Sequence, residues 1–330
     1  MLTCRRLLTL VTALLLTVST LTAGATEVTT ATQRGGSNFT WFRLDGCDRE
    51  PYSTIEAFDR SAPEIRAALK TLYDGGQRRL RIGIFHRRGN APGGTTMDST
   101  GGDLSPRNRA NLTSYLAAVE QAGFAEVAVA FHPIGENDPH TWSSFSASHY
   151  AENRDLIANL RPLIAAAGLP YTIDLLNEGL PMTTQPVLQD YSTRLWADYT
   201  ARFGKNDTVG FSMTVWIANR VETMAEVYGG NLPNVFDVHL YGDDEGNGDE
   251  YEQFVAAHRA MAERGYHQGW IIGEAHYADA AAAANIRRAM AETGRTVFYL
   301  TQWPWTRQKR CRDVDVAPPT DFRVYAEQGF

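Results

Sequence analysis

The amino-acid sequence predicts an α/β fold: a single (β/α)8 TIM barrel that follows a cleaved signal peptide. Three observations lead to this prediction. From residue 39 onward, apolar strand-like segments alternate with amphipathic helical ones, the apolar segments number eight, and a glycine stands where several of the helical segments should end. Regular alternation of strands and helices is typical of a parallel sheet covered by helices, and eight such strands close a barrel.

The first 25 residues are expected to be a secretory signal peptide. Arg5 and Arg6 form a short basic segment, residues 7–21 are mostly apolar, and residues 23–25 (Ala-Gly-Ala) fit a cleavage site. The apolar stretch is shorter than the roughly 20 residues of a membrane-spanning helix, although an uncleaved anchor stays open as an alternative. We therefore expect residues 26–330 to form one mature domain, secreted or periplasmic.

The charge of the chain argues against polyanionic partners. The sequence carries 31 Lys and Arg against 38 Asp and Glu, a formal net charge of −7, and loss of Arg5 and Arg6 with the signal takes −7 to −9. An acidic protein without a clustered basic segment is not expected to bind nucleic acid or, once the signal is removed, a membrane surface. A neutral polymer or a small molecule remains, and we expect a monomer without a cofactor.

The predicted strands are the apolar segments that turn-forming residues bound. They are FTWFRLDG (39–46), RLRIGIF (79–85), EVAVAFH (126–132), YTIDLLN (171–177), TVGFSMTV (208–215), VFDVHLY (235–241), GWIIGEA (269–275) and TVFYLTQW (296–303). Ser105 followed by Pro106 predicts a helix N-terminus. Helix ends are predicted at Gly123, Gly168, Gly204, Gly265 and Gly294. An open sheet of about eight strands is the alternative architecture.

Two cysteines, Cys47 and Cys311, remain after removal of the signal. In an oxidising compartment two remaining thiols often pair. They follow the first and the last predicted strand, which are neighbours only if the barrel closes. An open sheet would leave them far beyond the roughly 4.4 to 6.8 Å that a disulfide allows between Cα atoms. Barrel closure therefore makes a Cys47–Cys311 disulfide geometrically reasonable.

Two glutamates stand at the ends of apolar strands. IDLLNEGLP places Asn177 and Glu178 where the fourth strand leaves the core, and GWIIGEA places Glu274 near the end of the seventh. In a barrel both positions face the same mouth, where barrel enzymes keep their chemistry. Two carboxylates in one cleft can hydrolyse a glycosidic bond, and about 5 to 5.5 Å between the carboxyl groups gives a covalent intermediate and retained configuration.

The combination of strand-end residues resembles clan A of the glycoside hydrolases, and within it most the cellulase-type family 5. IDLLNEGLP is similar to the clan's fourth-strand motif and IIGEAHY to its seventh-strand motif. DVHLYG contains the His-x-Tyr pair of family 5, and QWPW ends the eighth strand with a tryptophan. The resemblance covers essentially the whole mature chain, although the second strand reads Arg-Ile-Gly where the family usually has proline.

The resemblance implies a role for each of these residues. Glu178 is the expected acid/base, kept protonated by the negative charge of Glu274, and Glu274 is the expected nucleophile. The expected substrate-binding residues are Asn177, Arg81, His132, His239, Tyr241, Trp303 and Trp216. The implied activity is that of a secreted retaining endo-β-glycosidase, which cleaves a β-linked polysaccharide without a metal.

Two other interpretations stay open. A metal-dependent barrel hydrolase could combine Glu178 with strand-end histidines as zinc ligands, namely His86, His132, His239 and His276. That interpretation leaves Asn177, Tyr241 and Trp303 without a role. A non-catalytic glycan-binding barrel would ordinarily lack one of the two carboxylates, whereas this chain has both.

Overall fold

The computed structural model describes residues 32–89, 94–242, 246–308 and 315–330. Within these ranges eight parallel strands form the barrel: β1 (Gly36–Asn38), β2 (Arg79–Arg87), β3 (Glu126–Pro133), β4 (Tyr171–Asp174), β5 (Thr208–Gly210), β6 (Val235–Leu240), β7 (Gly269–Ala275) and β8 (Val297–Gln302). A two-residue strand, Met97–Asp98, pairs with the end of β2. The predicted signal peptide and Cys311 lie outside the described residues.

Helices follow the strands along the described chain. They are α1 (Phe58–Asp74), α2 (Pro106–Gln121), α3 (Ala147–Ala165), α4 (Pro186–Phe203), α5 (Ile217–Arg220), α6 (Met224–Tyr228), α7 (Glu250–Ala262), α8 (Ala280–Thr293) and α9 (Arg323–Glu327). The Ser105 side chain accepts a hydrogen bond from the Asn108 N–H and so caps α2, as its position before Pro106 predicts. No helix in the described ranges is both long enough and apolar enough to cross a bilayer.

The strands close into a ring. Their order is β5-β4-β3-β2-β1-β8-β7-β6, and β1 pairs in parallel with both β2 and β8. At the remaining seam, Met213 in the segment after β5 pairs in parallel with Val238 of β6. The His239 N–H donates to the Met213 carbonyl at 2.7 Å. The predicted barrel is therefore confirmed, and the open-sheet alternative is wrong.

The first strand was predicted in the wrong place. Residues 39–46 lie beyond the sheet, and the strand is the short segment Gly36–Asn38. A Cβ on Gly36 would lie 2.0 Å from the Arg79 carbonyl oxygen, and one on Gly35 would lie 1.8 Å from the Leu300 carbonyl oxygen. The close approach of neighbouring backbones selects small residues here, so apolar character is not a guide to this strand.

The strand pattern places polar side chains inside the barrel. In β2, Leu80, Ile82 and Ile84 are fully buried members of the main apolar core. Because successive side chains of a strand point to opposite faces, Arg81 points the other way, into the barrel, where it is also fully buried. β4 and β5 end at Asp174 and Gly210, earlier than predicted. The residues that follow β4 therefore turn over the mouth of the barrel.

Candidate active site

Arg81 is the central cation of the barrel mouth. Its Nη1 donates to Glu274 Oε1 at 2.6 Å, and its Nη2 donates to Asp174 Oδ2 at 2.9 Å and to Asn177 Oδ1 at 2.7 Å. Burial opposes the charge, but the carboxylates of Glu274, Asp237 and Asp174 outweigh burial and raise the pKa of Arg81. A buried charge is tolerated only when it is paired, and Arg81 is paired on several sides.

Glu274, at the end of β7, is held as a carboxylate on both oxygens. Arg81 occupies Oε1, and the Tyr241 hydroxyl donates to Oε2 at 2.6 Å. Burial, and next the charge of Glu274, raise the pKa of Tyr241 well above its ordinary value, so Tyr241 remains a donor. Two donors on a buried carboxylate fix its orientation and stabilise its negative charge.

Glu178 faces Glu274 from the segment after β4. Its backbone φ is 56°, in the left-handed region, and its N–H bonds to Ser212 Oγ at 2.7 Å. His239 Nδ1 lies 3.1 Å from Glu178 Oε1. Burial alone would raise the pKa of the Glu178 carboxyl, but the hydrogen bond and the positive charge of His239 outweigh burial and hold this pKa at about 2.

The charges around this pair favour placing its proton on His239. Burial alone would lower the pKa of His239, but the carboxylates of Glu274 and Glu178 outweigh burial and raise it. The structure thus differs from the expectation of a protonated Glu178, because that expectation considered only repulsion by Glu274. A cation beside both carboxylates favours the ionised form of Glu178, with the acidic proton on the histidine one hydrogen bond away.

The two carboxylates are close enough for a covalent mechanism. Glu178, His239 and Glu274 each have one polar atom within 4.8 Å of the others. Retaining glycosidases have carboxyl groups about 5 to 5.5 Å apart, and inverting ones about 6.5 to 9.5 Å apart. The 4.8 Å limit joins single polar atoms of the two side chains, and it is compatible with the shorter class.

A cleft of about 440 Å³ opens above the two carboxylates. Its lining combines polar and aromatic side chains, namely Arg49, Phe85, His132, Asn177, Glu178, Thr214, Val215, Tyr241, Glu274, Trp303 and Trp305. His132 stacks on Phe85 with ring centroids 4.3 Å apart, and Trp303 packs edge-on against Trp41 at 5.6 Å. Such a surface suits a sugar, which has both hydroxyls and apolar C–H faces.

The structure brings most of the predicted site residues together. Asn177, Glu178, His132, Tyr241, Glu274 and Trp303 line the cleft, with Arg81 and His239 directly beneath. Trp216 is the exception: it follows the cleft residue Val215, does not itself line the cleft, and exposes 41% of its surface.

Sequence reasoning missed several residues of the site. Asp174 and Asp237 are buried beside Arg81, Arg49 lines the cleft, and His140 contacts Glu178. The signal for Asp174 and Asp237 was present, since an ionisable residue inside an apolar strand requires a partner. The loop residues carried no comparable signal.

The predicted zinc ligands do not converge. His86 Nδ1 bonds to Ser99 Oγ at 3.0 Å, and His276 packs against Tyr241 with ring centroids 4.9 Å apart. In the described ranges the set closest to a metal site is Glu178, His239 and Glu274. Both oxygens of Glu274 already accept hydrogen bonds, one of them from the Arg81 cation. This donor set is therefore poorly suited to a divalent cation.

Comparison with known proteins establishes the class of fold. No protein-family model matches the chain, and no curated protein matches it. A GH5_18 structure from Bifidobacterium longum subsp. infantis matches with a TM-score of 0.58 and 14% identity over 91% of this chain and 79% of that one. A GH5-4 broad-specificity endoglucanase from Clostridium longisporum matches with a TM-score of 0.56 and 11% identity over 91% of this chain and 94% of that one.

A third similar structure is an exo-β-1,4-mannosidase from Opitutaceae bacterium strain TAV5. It has a TM-score of 0.57 and 12% identity, over 91% of this chain and 61% of that one. The fold of this chain is thus the (β/α)8 barrel that these glycoside hydrolase structures share, as its strand pattern predicts.

Proposed function

We propose that this protein is a retaining endo-β-glycosidase, with Glu274 as nucleophile and Glu178 as acid/base. The observation that carries the proposal is the pair of carboxylates at the mouth of a barrel, with one oxygen of each within 4.8 Å of the other. The two glutamates have different hydrogen-bond partners, which supports different roles for them. Glu274 is fixed as an anion by Arg81 and Tyr241, whereas Glu178 exchanges a proton with His239.

In the first step, the Glu274 carboxylate attacks the anomeric carbon and the bond from that carbon to the leaving oxygen breaks. His239 passes its proton along the 3.1 Å hydrogen bond to Glu178, which delivers it to the leaving oxygen. The glycosyl ester removes the charge of Glu274. In the second step, Glu178 takes a proton from water, the hydroxyl oxygen attacks the anomeric carbon, and Glu274 leaves as a carboxylate.

The proposed substrate is a β-1,4-linked glucan or mannan. Similar structures are described as an endoglucanase, as a β-1,4-mannanase and as a mannanase. A GH5_18 alanine variant from Streptomyces cattleya is described as a complex with Manβ1-4GlcNAc. Internal cleavage is supported by the lining of the cleft. Arg49 follows β1 and Val215 follows β5, which lie on opposite sides of an eight-stranded ring, so a glycan chain could extend in both directions.

We further propose that the protein is exported as a monomer, loses residues 1–25 and forms the Cys47–Cys311 disulfide. Arg49 Nη2 lies 2.7 Å from Asp315 Oδ1, which brings the described neighbours of the two cysteines together. Mass spectrometry of the secreted protein should give an N-terminus at Thr26 and a peptide that links the two cysteines before reduction. A retained leader, or two free thiols, would contradict this proposal.

The decisive experiment measures hydrolysis of a panel of α- and β-linked polysaccharides by the wild type, Glu178→Ala and Glu274→Ala. Both variants should lose activity, because general acid–base catalysis alone contributes about 10² to 10⁴-fold. Azide should rescue Glu274→Ala with a glycosyl azide of inverted configuration. Glu126→Gln is the matched control, since Glu126 pairs with Arg79 at the opposite end of the barrel.

Three outcomes would contradict the proposal in different ways. Activity that survives both alanine variants but is lost with a chelator would favour the metal-dependent hydrolase. Binding of a glycan in calorimetry without cleavage of any substrate would favour the non-catalytic barrel. Release of single sugars only, from the chain end, would replace the endo mode by an exo mode.

A further inference from the structure

His140 lies outside the barrel strands, in the loop after β3, and contacts the backbone of Glu178. The loop contains two 3-10 turns, Gly135–Asn137 and Pro139–Thr141. The second turn brings His140 Nε2 to 3.3 Å from the Glu178 carbonyl oxygen. Asp138 Oδ1 lies 2.8 Å from His140 Nδ1 and accepts a hydrogen bond from the His140 backbone N–H at 3.0 Å. The orientation of the ring is therefore fixed by the residue that precedes its own turn.

Both ring nitrogens of His140 face acceptors. One faces a carbonyl oxygen and the other a carboxylate oxygen, and neither of these groups can donate a hydrogen bond. A neutral imidazole carries one N–H, so it could satisfy only one of the two contacts. The doubly protonated ring satisfies both. The geometry therefore selects the imidazolium form of His140.

The charges near His140 agree with that selection. Burial alone would lower the pKa of His140, but Asp138 and then Glu178 outweigh burial and raise it. Two other titratable groups lie near these contacts. Burial and nearby positive charges, that of His140 among them, lower the pKa of His132, at the end of β3. Burial and the charge of Asp138 raise the pKa of Tyr191, in α4. Both are uncharged near neutral pH, because the pKa of His132 is lowered and that of Tyr191 is raised.

The residue that His140 contacts needs support. Glu178 is in the left-handed region with φ 56°, a strained conformation for a non-glycine residue. Ser212 Oγ contacts the N–H of Glu178 at 2.7 Å, and His140 contacts its carbonyl. The peptide groups on the two sides of the Glu178 Cα are thereby fixed, which determines where its carboxyl points.

We propose that the His140 imidazolium, held by Asp138, is a positioning residue that fixes the backbone of Glu178 and so aims its carboxyl at the scissile bond. The proposal rests on the proposed role of Glu178 as acid/base. The contact of His140 with Glu178 is to the backbone carbonyl, not to the carboxylate, and His140 is not one of the residues that line the cleft. The imidazolium fixes the Glu178 backbone only while the ring is doubly protonated. This positioning is lost as the pH rises through the pKa of His140.

The protonation of His140 can be measured without any activity. We expect NMR titration of the ring nitrogens of the folded full-length mature protein to give a pKa above 6.5, the ordinary value for histidine. Asp138→Asn should lower this pKa, because it removes the charge and keeps an acceptor oxygen. A pKa at or below 6.5 in the wild type would overturn the proposal, whether or not a substrate has been found.

Kinetics test the positioning. His140→Gln should lower kcat by about tenfold or more with little change in KM, since misplacement of a catalytic group by about 1 Å can cost a hundredfold. His149→Gln is the matched control: His149 contacts Ser146 and Glu136 in the same region but not Glu178. Thermal unfolding of each variant checks that it is folded.

Asp138→Asn separates positioning from a general structural role. We expect it to move the alkaline limb of kcat to lower pH by the same amount as the NMR pKa of His140, with an unchanged plateau below that pKa. Equal losses in His140→Gln and His149→Gln, or a limb that stays in place while the pKa moves, would overturn the positioning role. A wild type that cleaves no glycan would instead refute the proposed function and leave the NMR result standing.

Discussion

His239 Nδ1 lies 3.1 Å from Glu178 Oε1 and 3.6 Å from Glu274 Oε2, so a single imidazole faces both carboxylates of the candidate active site. As a cation it reduces the repulsion between two carboxylates that are within 4.8 Å of each other. It is itself fully buried, and it is stabilised in the charged form by the same carboxylates. The protonation of Glu178 and that of His239 are therefore coupled.

The first prediction concerns His239→Asn. Loss of the cation should raise the pKa of Glu178 from about 2, since burial and Glu274 remain, and should lower kcat by about a hundredfold or more.

The Glu178 contribution to stability is present above its ordinary pKa of 4.5 and is lost as the pH falls towards about 2. The His239 contribution is present below 6.5 and is lost as the pH rises through its raised pKa.

The free energy of unfolding should therefore differ most between the wild type and His239→Asn from about pH 4.5 to 6.5, the interval between the two ordinary pKa values. Urea unfolding at a series of pH values measures this difference. His267→Asn, at an exposed histidine, is the control and should show no such maximum. A difference that stays constant with pH would mean that His239 contributes by packing alone.

The second prediction concerns Arg81→Met, which leaves Asp174, Asp237 and Glu274 buried without their shared cation. Removal of one partner from a buried ion pair typically costs about 3 to 5 kcal/mol. Arg79→Met, at the other end of β2 and paired with Glu126 at 2.9 Å, should cost less because both partners are more exposed. Chemical denaturation of the two variants gives the comparison.

The deficit of Arg81→Met should also shrink at acid pH. Burial raises the pKa of Asp237 to about 6 even though His239 and Arg81 lower it, so without Arg81 this pKa should rise further. Protonation then removes the unpaired charge as the pH falls. A deficit that grows towards acid pH would show that the buried carboxylates are not the cause of the instability.

The third prediction concerns Gly273→Ala. A Cβ at this position would lie 2.3 Å from Asp237 Oδ1, which now accepts the Gly273 N–H at 2.8 Å. The alanine must displace Asp237 or shift β7, which carries Glu274 one residue later. We expect a loss of about 1 to 3 kcal/mol in stability together with a fall in kcat.

Gly75→Ala is the matched control for Gly273→Ala. Gly75 has a φ of −68°, and the nearest atom to its added Cβ would be 3.2 Å away, so the alanine requires a much smaller adjustment there. Thermal unfolding and kcat of both variants test the difference. Full activity in Gly273→Ala would mean that Asp237 can move without consequence for Glu274.

Most of the fold and of the site was predictable because it depends on local patterns. Parallel strands put their carboxyl ends on one face, so Glu178 and Glu274 could be placed together from the ends of two apolar segments. β1 was missed because close backbone approach, rather than apolar character, selects Gly35 and Gly36. Such a contact joins segments far apart in the chain and leaves no periodic signal.

The protonation of the site was not predictable, since it depends on the distances between groups from different elements. Repulsion by Glu274 alone would keep Glu178 protonated, whereas a histidine 3.1 Å away reverses the outcome. Likewise, Arg81 meets its carboxylates from three different strands. The sequence contains each of these residues, but it does not show which of them pair or which of them carry the charge.

The last prediction separates the two tryptophans that are among the expected substrate-binding residues. Trp303 lines the cleft beside His132, with ring centroids 6.4 Å apart, whereas Trp216 lies beyond the cleft lining and is 41% exposed. Trp303→Ala should therefore reduce kcat/KM at least about tenfold on every substrate, a loss of about 1.4 kcal/mol. Trp216→Ala should raise KM for a polysaccharide and leave a short aryl β-glycoside unaffected.

The two tryptophan variants should differ because of the length of the substrate. A short substrate reaches only the sugar sites next to the two carboxylates, and a long chain also reaches an aromatic ring outside them. Trp216 has a backbone φ of 60°, and the loop before it is held by the buried Arg220, which donates to the Thr214 and Val215 carbonyls at 3.0 Å. Equal losses on short and long substrates in Trp216→Ala would show that this loop shapes the catalytic centre instead of extending the cleft.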